Sequence, residues 1–198
     1  MDAAAVPESR SRRDRLLTAG NTVFSEVGYV GTTVDDLIER ASTSRASFYR
    51  YFRNKDDLFA ELARACFRDM KAIVEELGRA RADAVDVAEI EEVLDRYRDL
   101  HTRHAGVFRA WWERAARLDP RVVADESRVF DRLVDGLTRF VGDVPGESAV
   151  APEARAGLLY LLIEGSYAAV TSRWSRVDPD TLAPTLARMI HRTYLGGD

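Results

Sequence analysis

The 198-residue sequence is 46% hydrophobic and 31% charged, with a formal net charge of −4, the make-up of a folded globular chain rather than a disordered or fibrous one. A single cysteine, Cys66, excludes an intrachain disulfide framework. No apolar run approaches the roughly 18 residues that a spanning helix needs, and the first fifteen residues lack the apolar core of a secretory signal, so a reducing cytoplasm is the expected location.

Residues 1–8 read as a loose arm, followed by Arg10, Arg12, Arg13 and Arg15. These arginines suit either a solubilising tail or a basic arm that reaches a minor groove. From Leu16 the apolar residues Leu16, Ala19, Val23, Phe24 and Val27 recur at helical spacing. Ser11 with Asp14 three residues later resembles a capping pair, and Gly28 fits the stop. A second short helix opens at the Thr33–Asp36 capping pair and carries Val34, Leu37, Ile38 and Ala41 on one face. Ser44 is positioned to cap a third helix over 45–52. Asn54 and Asp57 start a fourth, whose stripe of Leu58, Leu62, Cys66, Ile73 and Leu77 runs to about residue 77.

The third helix lies in "STSRASFYRYFRNK", residues 42–55, which holds Arg45, Arg50, Arg53 and Lys55 and no acid. At 100° per residue, Phe48 and Phe52 share a face and can anchor the helix on Leu37 and Ile38. Ala46, Ser47 and Arg50 point away, with Tyr49 and Tyr51 on the flanks and Arg45 in the first turn. Small residues allow close approach to a surface. Arginine can bridge two acceptors on a guanine edge, and tyrosine and lysine reach phosphates. A helix-turn-helix with such a second helix is the layout of a major-groove reader. A solvated basic face with aromatic packing is the alternative on charge alone.

The stretch "TVFSEVGYVGTTVDDLIERASTSRASFYRYFRNKDDLF" resembles the N-terminal domain of the TetR family of bacterial transcriptional regulators over about residues 12–60. The shared features are the helix ending "F..VGY", the "TT" that opens helix 2, then "LIERA", "SFYRYF" and "NKDDL". The resemblance implies base contacts from Arg45, Ala46 and Ser47, phosphate contacts from Tyr49, Tyr51 and Lys55, and contacts at the start of helix 2 from Thr32 and Thr33. One departure is the turn, usually Ala-Gly-Val, which here reads Ala41-Ser42-Thr43.

Beyond residue 77 the chain reads as a second helical body, with helices expected over about 88–104, 105–117, 120–141, 153–175 and 180–195 and breaks at "LDPR", "GDVPGESAVAP" and "VDPD". One helix-turn-helix covers only a half-site, so a homodimer is expected. Its interface is assigned to Gly157, Leu161, Gly165, Ala168 and Ser172 on one helix and Leu182, Leu186, Met189, Ile190 and Thr193 on the next; the alternative is that both stripes cover the chain's own core. Tyr97, Phe108, Trp111, Trp112, Phe130, Tyr160 and Tyr167 either fill the core or line an apolar effector cavity. Glu164, inside an apolar stretch, suits either orienting a polar ligand group or pairing with an arginine. His101 and His104 lack a third ligand for a metal, and no phosphate loop or nucleophile–base pair is present.

The reading is an all-α chain of about nine helices: an arm (1–8), a three-helix helix-turn-helix DNA-binding domain (9–54) and a helical effector-binding and dimerisation domain (55–198). The expected function is a ligand-responsive regulator, by resemblance a repressor. It binds a pseudo-palindromic double-stranded DNA operator as a homodimer and is released by a small, largely apolar effector through the helix over 55–77. No enzyme activity, cofactor, metal or membrane partner is expected. The alternative is a helical ligand-binding or protein-interaction module that does not bind DNA.

Overall fold

The computed structural model describes residues 11–77, 85–115, 131, 133–142, 151–170 and 178–194, and among these residues the ordered elements are helices, with no strand. They are α1 (Arg12–Gly31), α2 (Val34–Arg40), α3 (Arg45–Tyr51), α4 (Lys55–Leu77), α5 (Val87–Arg103) and α6 (Ala105–Ala115), then α7 (133–142), α8 (Pro152–Val170) and α9 (Pro179–Tyr194). The helices expected at 88–104, 105–117, 153–175 and 180–195 correspond to α5, α6, α8 and α9. Of the one expected over 120–141, the part before residue 131 lies outside the described residues, as does the 1–8 arm.

The starts follow from side-chain chemistry. The Asp14 amide donates to Ser11 Oγ at 3.1 Å. Thr33 and Asp36 form a reciprocal capping box, and the Ser47 amide donates to Ser44 Oγ at 3.1 Å. Each cap satisfies an amide that the first turn leaves without an intrahelical partner. Pro152 and Pro179 occupy the first position of α8 and α9, where a missing N–H costs nothing. Gly28 interrupts α1 with φ 80° and ψ 168°. The stop expected there is a break, after which one further turn runs to Gly31.

The described residues divide into two compact units. One takes those within Met1–Cys66 and His104–Leu118, the other those within Phe67–Arg103 and Asp119–Asp198. The first unit buries Leu16, Val23, Phe24, Leu37, Phe48, Phe52, Leu58 and Phe59. Its helix α6 packs along α1 at Gly106, whose amide donates to Asn21 Oδ1 at 3.1 Å and where any side chain would overlap the Asn21 carbonyl oxygen. The sequence reading assigns α6 to the C-terminal domain; its packing groups it with the N-terminal helices.

The second unit buries Leu94, Tyr97 and Leu100 of α5, Phe140 and Val141 of α7, Leu159 and Tyr167 of α8, and Leu182, Leu186 and Ile190 of α9. Glu164 lies among them, 1% exposed, where it accepts the Tyr97 hydroxyl and has His101 Nε2 3.8 Å away. A buried carboxylate needs such partners. Tyr97 is one such partner. Tyr167 donates to the Leu94 carbonyl at 2.7 Å, and burial pushes its hydroxyl pKa up to about 12.

Candidate functional site

The turn between α2 and α3 closes with two backbone bonds. The Ser42 amide donates to Glu39 O at 3.0 Å and the Thr43 amide to Ile38 O at 3.1 Å, the paired bonds of a Schellman cap. That cap requires a left-handed residue, and Ser42 takes it at φ 49°. Glycine is usual at this place because only glycine enters the conformation without strain. The serine therefore keeps the geometry at an energetic cost. Ser42→Gly is expected to raise stability by about 0.5–1 kcal/mol, the relieved strain less the extra entropy of an unfolded glycine. A urea unfolding midpoint that stays put or falls would contradict this.

On α3 the two faces separate as the helical spacing implies. Phe48 is fully buried and Phe52 is 3% exposed, their ring centroids 5.8 Å apart. Arg45, Ala46, Tyr49 and Arg50 are exposed. Arg45 Nη2 donates to Asp35 Oδ2 of α2 at 2.6 Å. Arg50 lies over the Tyr51 ring, 4.9 Å from its centroid, and donates to the Tyr51 hydroxyl at 2.7 Å, leaving Tyr51 half-buried. Arg53, which had no assigned contact, makes a two-pronged pair with Asp57 at 2.6 and 2.8 Å. That pairing holds the Asp57 carboxyl below its usual range.

Three of the expected contact residues are placed differently. Thr32 is 2% exposed and its hydroxyl donates to the Gly28 carbonyl at 2.6 Å, so it closes the break in α1 rather than facing outward. Ser47 Oγ is buried with no hydrogen-bond partner among the described residues. The Lys55 ammonium donates to Tyr29 O at 2.9 Å and Thr32 O at 2.8 Å and sits 4.5 Å from the Tyr29 ring centroid. A cation beside carbonyls left over at a helix end is favourable, and Lys55 is taken up in that role. Thr33 is exposed, and its amide and hydroxyl engage Asp36 at 2.7 Å. The Thr33 amide first, then the Thr33 hydroxyl, holds the Asp36 carboxyl below its usual value. Of the N-terminal arginines, Arg12, Arg13 and Arg15 belong to the first turn of α1, Arg13 is paired with Glu61, and Arg10 lies outside the described residues.

Sequence reasoning missed how α6 holds the broken end of α1. Arg109 Nη1 donates to the Ser25 and Glu26 carbonyls at 2.8 and 3.0 Å, and the Val30 amide donates to Glu113 Oε2 at 3.1 Å. Partners so far apart in sequence leave no local pattern.

The residues expected to line an effector cavity do not form one set. Tyr97, Glu164 and Tyr167 meet in the second unit, with Tyr160 half-buried on the same helix. Phe108 and Trp111 belong to the first unit. The side chain of Trp112 and all of Phe130 lie outside the described residues. A cavity of about 180 Å³ does occur in the second unit, lined among the described residues by aliphatic side chains including Leu94, Leu137, Leu159 and Ile163, by the aromatic Phe140 and by polar residues including Glu92 and Arg96. None of the expected residues whose side chains are described lines it.

The two proposed interface stripes also divide. On α8, Leu161 is 55% exposed beside Leu158 at 59%, Gly165 and Ala168 are exposed and Gly157 is half-buried. A side chain at either glycine would meet nothing within 4 Å. On α9, Leu182, Leu186 and Ile190 are buried in this chain's own core, whereas Met189 is 48% exposed and Thr193 is exposed. The spacing 182–186–190 faces inward because α5 packs there. Those three positions are core, and Ser172 lies outside the described residues. Among the described residues no group of three His, Cys, Asp or Glu is placed to hold a metal ion, and no helix is long and apolar enough to cross a membrane.

Residues 16–62 match the family model described as bacterial regulatory proteins, tetR family. A 62-residue stretch is 32% identical to the biofilm operon icaADBC HTH-type negative transcriptional regulator IcaR of Staphylococcus aureus (strain Newman), covering 31% of this chain and 33% of IcaR. The match thus spans about a third of the length of that curated relative. Among solved structures, the TetR family transcriptional regulator PfmR from Thermus thermophilus superposes with a TM-score of 0.72 at 19% identity, over 96% of this chain and 98% of PfmR. A transcriptional regulator from Rhodococcus sp. Rha1 gives 0.70 at 22% identity, over 94% and 97%. The N-terminal match carries the family signature, and the superpositions extend the shared fold over nearly the whole chain.

Proposed function

We propose that this chain is a member of the tetR family of bacterial regulatory proteins and a ligand-responsive DNA-binding transcriptional regulator that acts as a repressor. It binds a pseudo-palindromic operator as a homodimer and is released by a small, largely apolar effector. The observation that carries the reading is α3 itself. Phe48 and Phe52 are sunk in the core while Arg45, Ala46 and Tyr49 stand exposed on the other side of the same helix. A short helix presenting arginine and tyrosine around a small residue can enter a major groove, with arginine reading a base edge and tyrosine a phosphate. The net charge of −4 is compatible with this, because DNA responds to the local surface. Repression is supported by the name of the IcaR relative, a negative transcriptional regulator.

Dimerisation is supported by the open, small-residue face of α8 around Gly157, Leu161, Gly165 and Ala168, since exposed apolar stripes of this kind mark association surfaces. The aliphatic cavity under α5 and α8 supports a compact, mostly apolar effector. Release requires that the effector favour a conformation whose two recognition helices no longer match successive major grooves. α4, which contributes residues to both units, is the proposed carrier of that change.

The test is a shift assay on duplex DNA from upstream of the chain's own gene. The wild-type chain is expected to bind it with strong salt dependence. Arg45→Ala is expected to lose about 1–3 kcal/mol of discrimination between that duplex and an unrelated one. An equal weakening on both duplexes would show that Arg45 touches phosphate only.

A further inference from the structure

We propose that Asp35 is a positioning residue for base reading: its carboxylate fixes the Arg45 guanidinium in the orientation in which it meets a base edge. The inference rests on the DNA-binding reading above and adds a residue from the other helix of the motif.

The geometry is a single charge-assisted bond from Arg45 Nη2, on the first residue of α3, to Asp35 Oδ2 in the first turn of α2, at 2.6 Å. Both side chains are well exposed, at 63% and 64%. An exposed pair of this kind contributes little to folding, and Asp35 in the first turn of α2 gains only the modest favourable interaction of an acid with a helix N-terminus. Its effect on Arg45 is specific. A free arginine side chain samples many rotamers, and a base contact must stop that motion. With one Nη2 proton held by Asp35, the guanidinium plane is set before DNA arrives, and the second Nη2 proton, with its parallel neighbour on Nη1 or Nε, stays available for the two acceptors of a guanine edge.

An acid there also repels phosphates, so it weakens sequence-independent binding while sharpening discrimination. The two effects have opposite signs, which makes the role testable. If Asp35 were only a surface charge, neutralising it would tighten binding to every duplex alike. If it positions Arg45, neutralising it lowers preference at one base pair per half-site, the one that Arg45→Ala also relaxes.

The experiment is selection of bound DNA from a randomised duplex library by the full-length wild-type chain and by Asp35→Asn, Asp35→Glu and Arg45→Ala, followed by sequencing. Thermal unfolding of each variant checks that the fold is kept. Asp35→Asn is expected to lose about tenfold in preference at the position that Arg45→Ala relaxes, with unchanged or tighter binding to unselected duplex. Asp35→Glu, which keeps a carboxylate, is expected to restore part of it. Retained preference in Asp35→Asn overturns the proposal. So does a loss at a different base pair, which would mean that Asp35 reads a base itself. Enrichment of no sequence by the wild-type chain would overturn the DNA-binding reading, and this inference with it, an outcome distinct from the other two.

Discussion

Phe48→Ala is expected to destabilise the N-terminal unit by about 3–5 kcal/mol, the cost of emptying a large buried aromatic site. The helix that carries Phe48 has seven residues, far too few to persist in water without tertiary support. Its supports are the Ser44 cap at the start, the Phe52 amide bonded to the Phe48 carbonyl at 2.9 Å at the end, and the burial of Phe48 and Phe52. The caps add about 1 kcal/mol each at most sites, so the aromatic anchor dominates. Against a total stability of about 5–15 kcal/mol, its loss is expected to melt α3 and to abolish DNA binding on all sequences together. Urea unfolding followed by circular dichroism measures the first effect and a shift assay the second. A midpoint within about 1 kcal/mol of wild type would mean that α3 is held by something other than this anchor.

The second large effect is expected at Gly28. Its φ of 80° with ψ of 168° lies in a region essentially closed to other residues. An added methyl would also overlap the Glu113 carboxylate. That carboxylate can swing aside, but it then gives up the Val30 amide and the Arg109 guanidinium 3.4 Å away. Gly28→Ala is expected to cost about 2–4 kcal/mol, most of it backbone strain. Pairing it with Glu113→Ala separates the two parts. The double variant is expected to recover the steric part and to keep the backbone part, giving a coupling of at least about 0.5 kcal/mol. Strict additivity in thermal or urea unfolding would show that Glu113 does not pack against this break.

Much of the motif was legible because its determinants are local. Ser11, Thr33 and Ser44 cap helices by bonding amides three residues away, and the i, i+4 spacing of Phe48 and Phe52 names the buried face without reference to the rest of the chain. What was not legible depends on distant partners. Thr32 and Lys55 look like outward polar residues until the break at Gly28 leaves the carbonyls of Gly28, Tyr29 and Thr32 to be satisfied. Asp35 reads as an ordinary first-turn acid until α3 brings Arg45 beside it. The cavity was missed because its lining is mostly leucine, isoleucine and valine, which in sequence cannot be told from a core stripe, whereas the conspicuous aromatics Phe108 and Trp111 belong to the other unit. On α9 the apolar period marks a buried face without saying whether a neighbouring helix or a second chain buries it; Leu182, Leu186 and Ile190 turn out to be covered by the chain itself.

The most direct measurement is hydroxyl-radical footprinting of the wild-type chain on the duplex that it selects from a randomised library. Two protected half-sites related by a two-fold axis are expected, centred about 34 Å or a multiple of it apart on one face of the helix, with protection lost in Phe48→Ala. A single protected site, protection without symmetry, or no protection at low salt would contradict this.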